Sequence, residues 1–429
     1  MKYQTTTDLL PTLLRHMSWF TLLAALLMFG LANGTVHAQG KGNAPGQNKG
    51  GDGDDGEPPP DSNAGIRYDL QYLGILPGGT WSFATALNDS GEVVGQSDTD
   101  ELAKGFYWFD GQMVPLESLV DPERPLFIQM ASDVNNAGQI VATGRVVEST
   151  GFGPQVVFRL TPPREEESYY RVDVIGENIY FRSPRLNNDG DVIGYHDKEN
   201  EGWQAFVWTE EGGFVDLGQF DGKSDTFPRA IRDRIWIDDM SVLEIVGDDR
   251  SGTLGSVAWR ATYSPPGGGH GGSVYFQDLG YLASHSRTAG ASKALGINSS
   301  GVIVGQTTTG RDQWRAARYT DNGGWENLGT LAPSNNSATS IAHAVNEAGA
   351  IVGRSGTGDP GQPRSFLYHD DFGMVVLEDL ISNLPAAFLG NLNPAGINDF
   401  WEICGPNEDN YTGIEGTQAY ILVPQIVAE

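Results

Sequence analysis

The sequence predicts an all-β fold, a seven-bladed β-propeller of four-stranded antiparallel blades closed by an N-terminal strand pairing with the C-terminal repeat. Three observations lead there. The stretch Ser82-Phe-Ala-Thr-Ala-Leu-Asn-Asp-Ser-Gly-Glu-Val-Val-Gly-Gln-Ser97 recurs, most closely at Ser340–Ser355, with further copies centred on Asn135, Asn187, Asn298 and Asn398 and a degraded one at Ile231-Arg232. Those seven copies are spaced by 47, 52, 45, 66, 48 and 52 residues, the period of a repeat whose units share one continuous core. Finally, the fourth strand that the last repeat lacks reappears ahead of the first copy.

Residues 1–38 read as an export signal. A basic start (Lys2, Arg15, His16) precedes the apolar run Trp19–Leu31 and the small-x-small site Val36-His-Ala38. The run is too short to span a bilayer, so stable membrane insertion is not expected. Residues 39–65 are Gly, Pro, Asn and Asp almost throughout and cannot offset their ordering entropy, which predicts a disordered linker. Within it Asp52–Glu57 lacks the ligand spacing of a calcium loop.

The repeat domain covers 66–429. In its first unit Phe83–Leu87 and Glu92–Gln96 form a hairpin, Phe106–Phe109 the third strand and Met113–Leu116 the fourth. Third strands recur at Val156–Arg159, Ala205–Trp208, Val257–Arg260, Ala316–Tyr319, Ser365–Tyr368 and Ala419–Leu422. Fourth strands recur at Val172–Ile175, Val215–Leu217, Gln277–Leu279, Glu326–Leu328 and Val376–Leu380. Tyr68-Asp-Leu-Gln-Tyr-Leu-Gly74 matches these fourth strands, so the frame is circularly permuted. A ring has a use for that arrangement, because it removes open sheet edges. Insertions fall at turns: Thr161–Ser168, Asp233–Leu243 and Thr262–Gly272.

Each Asn of the motif is followed, in five copies, by a Gly three residues on, the signature of a tight hairpin. The Asn side chain bonds its own backbone and the Gly takes the left-handed conformation. A second Gly, seven after the Asn (Gly95, Gly194, Gly305, Gly353, Gly405), predicts close backbone approach or a bulge; the second repeat has Ala142 there and Gly144 two residues on. Two residues before the Asn stand Ala86, Asp133, Arg185, Ala230, Gly296, Ala344 and Gly396. Small side chains suit a crowded position near the axis, so Asp133 and Arg185 are either a structural ion pair or part of an axial site. Arg232, where the Asn is lost, and His343 complete the candidate ligand-binding residues.

The pattern Gly296-Ile-Asn-Ser-Ser-Gly-Val-Ile-Val-Gly305, with Gln204-Ala-Phe-Val-Trp208 and Gln277-Asp-Leu-Gly280, resembles the HAF family of bacterial extracellular repeats over roughly Tyr68 to Val423. The resemblance implies export and repetition and brings no catalytic residues; the family's eponymous His is Gln204, Arg364 or Gln418 here.

Composition narrows the function further. A net charge of −28 without any basic cluster excludes nucleic acid as a partner. The single cysteine, Cys404, rules out internal disulfides and reads as a small buried hydrophobe. Beyond the leader, His196, His270, His285, His343 and His369 show no metal-ligand spacing, and no nucleophile turn occurs, so no metal, cofactor or catalytic residue is assigned. Trp108, Trp208, Trp259, Tyr319 and Tyr368 are read as one inter-blade core column. Trp81, Trp203, Trp236, Trp314, Trp325 and Trp401 fall at strand ends or turns, where exposed rings could stack on sugars. The expectation is a secreted or periplasmic, monomeric interaction module for glycans or envelope components. A polysaccharide hydrolase or lyase, and a purely structural matrix protein, are the alternatives. Clustered carboxylates at one mouth of the ring would favour the hydrolase.

Overall fold

In a computed structural model the described residues are 65–149, 151–176, 182–198, 201–222, 225–237, 240–250, 256–265, 272–282, 290–309, 313–357, 363–385, 388–407 and 416–425. The expected leader and all but the last residue of the linker, His270 and His285 lie outside them. The described strands form seven antiparallel sheets, each with a path of four strands, arranged as the blades of a propeller. The innermost strands of blades 1 to 7 are Ser82–Leu87, Leu126–Val134, Arg182–Leu186, Thr226–Ile231, Ser292–Ile297, Ser340–Val345 and Gly396–Ile397. Each touches the next around the axis, and the last touches the first.

The ring closes as the permuted frame requires. Arg67–Gly74 is the outermost strand of blade 7, antiparallel to Ala419–Gln425, with Leu70 opposite Leu422. Asn383 clips the strand in place. Its Oδ1 accepts the Leu70 N–H at 2.8 Å and its Nδ2 donates to the Leu70 carbonyl at 3.0 Å.

Two chemical reasons shape the inner hairpins. At the turn, Asn88 Oδ1 accepts the N–H groups of Ser90 and Glu92 at 3.1 and 3.0 Å, while Gly91 sits at φ 75°, the left-handed region that glycine tolerates. Six residues further back, the inner strand carries a one-residue register shift between Ala84 and Ala86. The shift pushes a carbonyl toward the partner strand: a Cβ on Gly95 would lie 2.1 Å from the Phe83 oxygen and 2.8 Å from the Phe106 ring. The bulge, and the ring that covers it, account for the second repeated glycine of the motif. Blade 2 has two register shifts, and there the close approach moves to Gly144, whose Cβ would meet the Phe127 carbonyl at 2.0 Å.

Strand pairing corrects one column. Trp108, Trp208, Tyr319 and Tyr368 stand opposite Val93, Val192, Ile303 and Ile351, but Trp259 stands opposite Gly247, as Phe106 stands opposite Gly95. Trp259 therefore belongs to the rings that cover the bulge, and Ala261 is the counterpart of Trp108. The strand expected over Val376–Leu380 is also displaced: Gly373–Val376 is the strand, and Leu377–Leu380 turns into a 3-10 helix that buries Glu378.

The core lies between blades. One cluster joins Leu73, Leu76 and Ile421 of blade 7 and its crossover to Phe106 and Trp108 of blade 1; it includes Cys404, whose thiol burial pushes well up. Polar links cross the same seams. Ser82 Oγ donates to the Gly74 carbonyl at 2.6 Å and accepts the Ala419 N–H at 3.0 Å; Ser292 and Ser340 repeat this between blades 4 and 5 and blades 5 and 6. Third-strand arginines reach the next blade's outer turn, Arg159 to Glu210 at 2.7 Å, Arg260 to Asp321 and Arg318 to Asp370 at 2.8 Å.

Candidate functional site

The seven repeated turns converge on one axial mouth, a hollow of about 190 Å³. Its wall is built from two stacked circlets of hydrogen bonds. In the first, each motif Asn donates from Nδ2 to the backbone carbonyl of the corresponding residue in the next blade. Asn88 reaches Asn135 at 2.8 Å, Asn135 reaches Asn187 at 2.9 Å, and Asn187 reaches Arg232 at 3.1 Å. Asn298 reaches Asn346, Asn346 reaches Asn398, and Asn398 closes on Asn88, each at 3.0 Å.

The second circlet uses the residue after each Asn. The backbone N–H of Asp89 donates to Asn136 Oδ1, that of Asn136 to Asn188 Oδ1 and that of Asn188 to Asp233 Oδ1, at 3.0, 2.9 and 2.7 Å. Across the ring, Ser299 donates to Glu347 at 2.6 Å, and Glu347 to Asp399 and Asp399 to Asp89 at 2.9 Å each. Among the described residues both circlets break at one seam, between blades 4 and 5, where Arg232 replaces the Asn.

The hairpin reading of the Asn was right and incomplete, because one amide serves its own turn through Oδ1 and the neighbouring blade through Nδ2. The second circlet has a signal of its own in the sequence, a column (Asp89, Asn136, Asn188, Asp233, Ser299, Glu347, Asp399) that carries a polar side chain in every copy.

Four carboxylates do cluster at this mouth, and each is held as an acceptor of a neighbouring blade's N–H. Asp399 lies between Asp89 and Glu347. Burial first, and then the charges of those two neighbours, raise its pKa above the usual aspartate range.

The four residues singled out from the sequence are not brought together. Asp133 and Arg185 span the seam between blades 2 and 3 through backbone groups: Arg185 Nη1 donates to the Ser132 carbonyl, and Asp133 Oδ2 accepts the Leu186 N–H at 3.2 Å. No direct contact between the two charges within 4 Å occurs among the described residues. Burial raises the Asp133 pKa and the Arg185 charge opposes that rise. Arg232 lines the mouth and pairs with Glu244 at 3.1 Å, its guanidinium lying against Gly301 of blade 5. His343 donates from Nδ1 to the Pro394 carbonyl of blade 7 at 2.7 Å, and burial pushes its pKa down. Thr85 makes the equivalent bond to Ala131 at 2.9 Å, so His343 is a seam residue of the same kind.

A larger concavity lies on blade 2, the blade with the double bulge, a long hairpin over Ile140–Thr161 and the Thr161–Ser168 insertion. It measures about 620 Å³, within the range of small-ligand clefts. Val120, Leu126, Val146 and Val172 supply apolar wall, Tyr169 is 42% exposed, and Arg124 and Glu167 stand at the rim. Tyr170 anchors the insertion, its N–H donating to the Leu119 carbonyl at 2.9 Å and its hydroxyl pushed up to about 12 by burial.

Of the six turn tryptophans, five pack against neighbours. Trp81 stacks on Phe83, Trp203 meets Tyr195 edge-on, Lys293 lies over Trp314, Trp325 donates to the Gly280 carbonyl, and Trp401 packs on His369. Trp236, on an extra strand Ile235–Ile237 formed by the expanded hairpin of blade 4, is 71% exposed. Among the described residues no group of histidines, cysteines and carboxylates is arranged to hold a metal ion, and no helix is long and apolar enough to cross a membrane.

No protein-family model and no curated protein matches the chain. Among solved structures it is similar to AofleA from Arthrobotrys oligospora at 10% identity, covering 71% of this chain and 87% of that one with a TM-score of 0.32. It is also similar to an alpha-L-arabinanase of Penicillium chrysogenum complexed with arabinobiose (11% identity, 73% and 98% covered, TM-score 0.35). A third is a sialidase of Trypanosoma rangeli in complex with the inhibitor DANA (9% identity, 78% and 74% covered, TM-score 0.22). Likenesses this distant assign neither a ligand nor an activity to this chain.

Proposed function

We propose that this protein is an exported, non-enzymatic interaction module that binds saccharide chains of the cell envelope in the blade 2 groove. The groove carries the reading. It joins an exposed aromatic face, Tyr169, to an aliphatic wall and a rim of both charge signs, the combination that accepts a sugar's apolar face and its hydroxyl edge together. The resemblance to HAF repeats and the leader-like start support export. The carboxylates of the axial mouth do not support hydrolysis, because each accepts a backbone N–H from a neighbouring blade rather than standing free as acid or base.

The test is retention of the purified domain on glycan and polysaccharide panels, with released reducing ends measured in the same wells. Retention without release, lost in Tyr169→Ala at an unchanged melting temperature, is the expected result. Release of reducing ends would replace the reading with a hydrolase. Failure of retention on every panel would overturn it.

A further inference from the structure

Blade 7 breaks the rule of the repeated turn in one respect. Five copies place Gly at the third position after the Asn, and blade 7 places Trp401 there, preceded by Phe400 where the others have Ser, Ala or Asp. Trp401 has φ 66°, in the left-handed region that a bulky side chain adopts only when its surroundings enforce it. The other copies show that glycine closes the same turn without that strain.

The substitution places two rings in the turn directly after Asp399, which lines the mouth. Trp401 lies 5.4 Å from the His369 ring and 6.5 Å from Phe372, both on the outer turn of blade 6. Phe400 is 41% exposed. Immediately before them stands Asp399, linked to Glu347 on one side and Asp89 on the other. None of these three carboxylates is paired with a cationic side chain among the described residues. An exposed ring, Phe400, beside a half-buried one, Trp401, and next to uncompensated negative charge on a chain of net charge −28, complements a positive ligand.

We propose that blades 6 and 7 form a site for the protonated amine of an amino-sugar chain, with Phe400 and Trp401 covering the sugar and Asp399, Glu347 and Asp89 offsetting its charge. The inference rests on the saccharide-binding reading but uses a face separate from the blade 2 groove. Ammonium groups are attracted both to aromatic faces and to clustered carboxylates, and the second attraction is screened by salt. A polyanionic glycan is disfavoured by the same charges.

Calorimetric titration tests it with three probes: a β-1,4-linked glucosamine tetramer, its fully N-acetylated counterpart and a lysine tetrapeptide. The amine tetramer is expected to bind, with affinity falling as salt rises, and to lose roughly tenfold or more in Phe400→Ala and in Trp401→Gly. Trp401→Gly relieves the turn but gives up the packing of Trp401 on the blade 6 and 7 core, so its melting temperature is measured alongside, and Phe400→Ala, which removes an exposed ring, is the variant expected to melt as the parent does. Tyr169→Ala should leave this binding unchanged. Equal affinity for the acetylated tetramer would overturn the role of the amine, and equal affinity for the tetrapeptide would overturn the commitment to a sugar. Undiminished binding in both aromatic variants, or loss in Tyr169→Ala alone, would overturn the site while leaving the groove reading standing.

Discussion

At the scale of single residues, the axial circlet makes Asp399 a liability as well as a link. Its pKa is raised, mainly by burial and then by Asp89 and Glu347, so the folded protein holds this proton to higher pH than the unfolded chain does. Stability from this group is therefore full below the ordinary aspartate range. It is lost as pH rises from there through the raised folded value, and the loss persists at neutral pH. Asn occupies the same position in blades 2 and 3, where Asn136 and Asn188 accept the neighbouring N–H as an aspartate would. Asp399→Asn should keep the bond from Glu347 and remove the repulsion. Because burial is only partial and the side chain keeps contact with solvent, the gain at pH 7 is discounted to a few tenths, at most about 1 kcal/mol. Thermal melts at pH 3 and pH 7 check it: the variant should melt higher than the parent at pH 7 and alike at pH 3, and a lower melting point at pH 7 would refute the sign. What the sequence could show of this network was local. The bonds from an Asn to its own turn are written within four residues, whereas the next-blade carbonyl that its Nδ2 also reaches lies about fifty residues away in five of the six copies that keep the Asn.

Within a single blade, the inner hairpin is held to its shape by the bulge and its covering ring. A Cβ on Gly353 would sit 2.0 Å from the Ile341 carbonyl oxygen and 2.7 Å from the Phe366 ring. Neither can retreat, since the carbonyl belongs to the register shift and Phe366 is fully buried. Gly353→Ala should cost about 3 kcal/mol or more, seen as a large drop in denaturation midpoint. Ser340→Ala tests the seam instead. It removes a hydroxyl that joins the Gly329 carbonyl to the Ala316 N–H and leaves both groups buried, at about 1–3 kcal/mol. Strand positions were legible because alternation and turn residues are local signals. The Trp259 column was not, because counting from the degraded Ile231-Arg232 copy crosses an extra strand whose length no repeat template contains. The blade 2 groove was equally hidden: the insertion that forms it was visible, but not the crossover segment it folds against.

Over the whole ring, two seams differ from the rest in opposite ways. Blades 7 and 1 are joined through a strand borrowed from the other end of the chain, so deleting residues 65–74 should expose the edge of Ala419–Gln425 and turn a cooperative melt into aggregation. That seam was readable beforehand, since a fourth strand missing at one terminus and present at the other has few other meanings. The seam between blades 4 and 5 could be suspected only as a lost Asn. The geometry shows what is lost, one bond from each circlet, while Arg260–Asp321 and the buried Leu279, Ala294 and Tyr319 keep the blades in contact farther out. The break is thus confined to the axis and should appear as local opening rather than as lower global stability. Hydrogen exchange at the seven equivalent amides reads it directly. The N–H groups of Asp89, Asn136, Asn188, Ser299, Glu347 and Asp399 are each bonded across a seam and should be protected. The Asp233 amide, which has no such acceptor among the described residues, should exchange well ahead of them. Uniform protection at all seven would mean that blade 5 supplies an acceptor after all, and that the ring is closed at the axis in every seam.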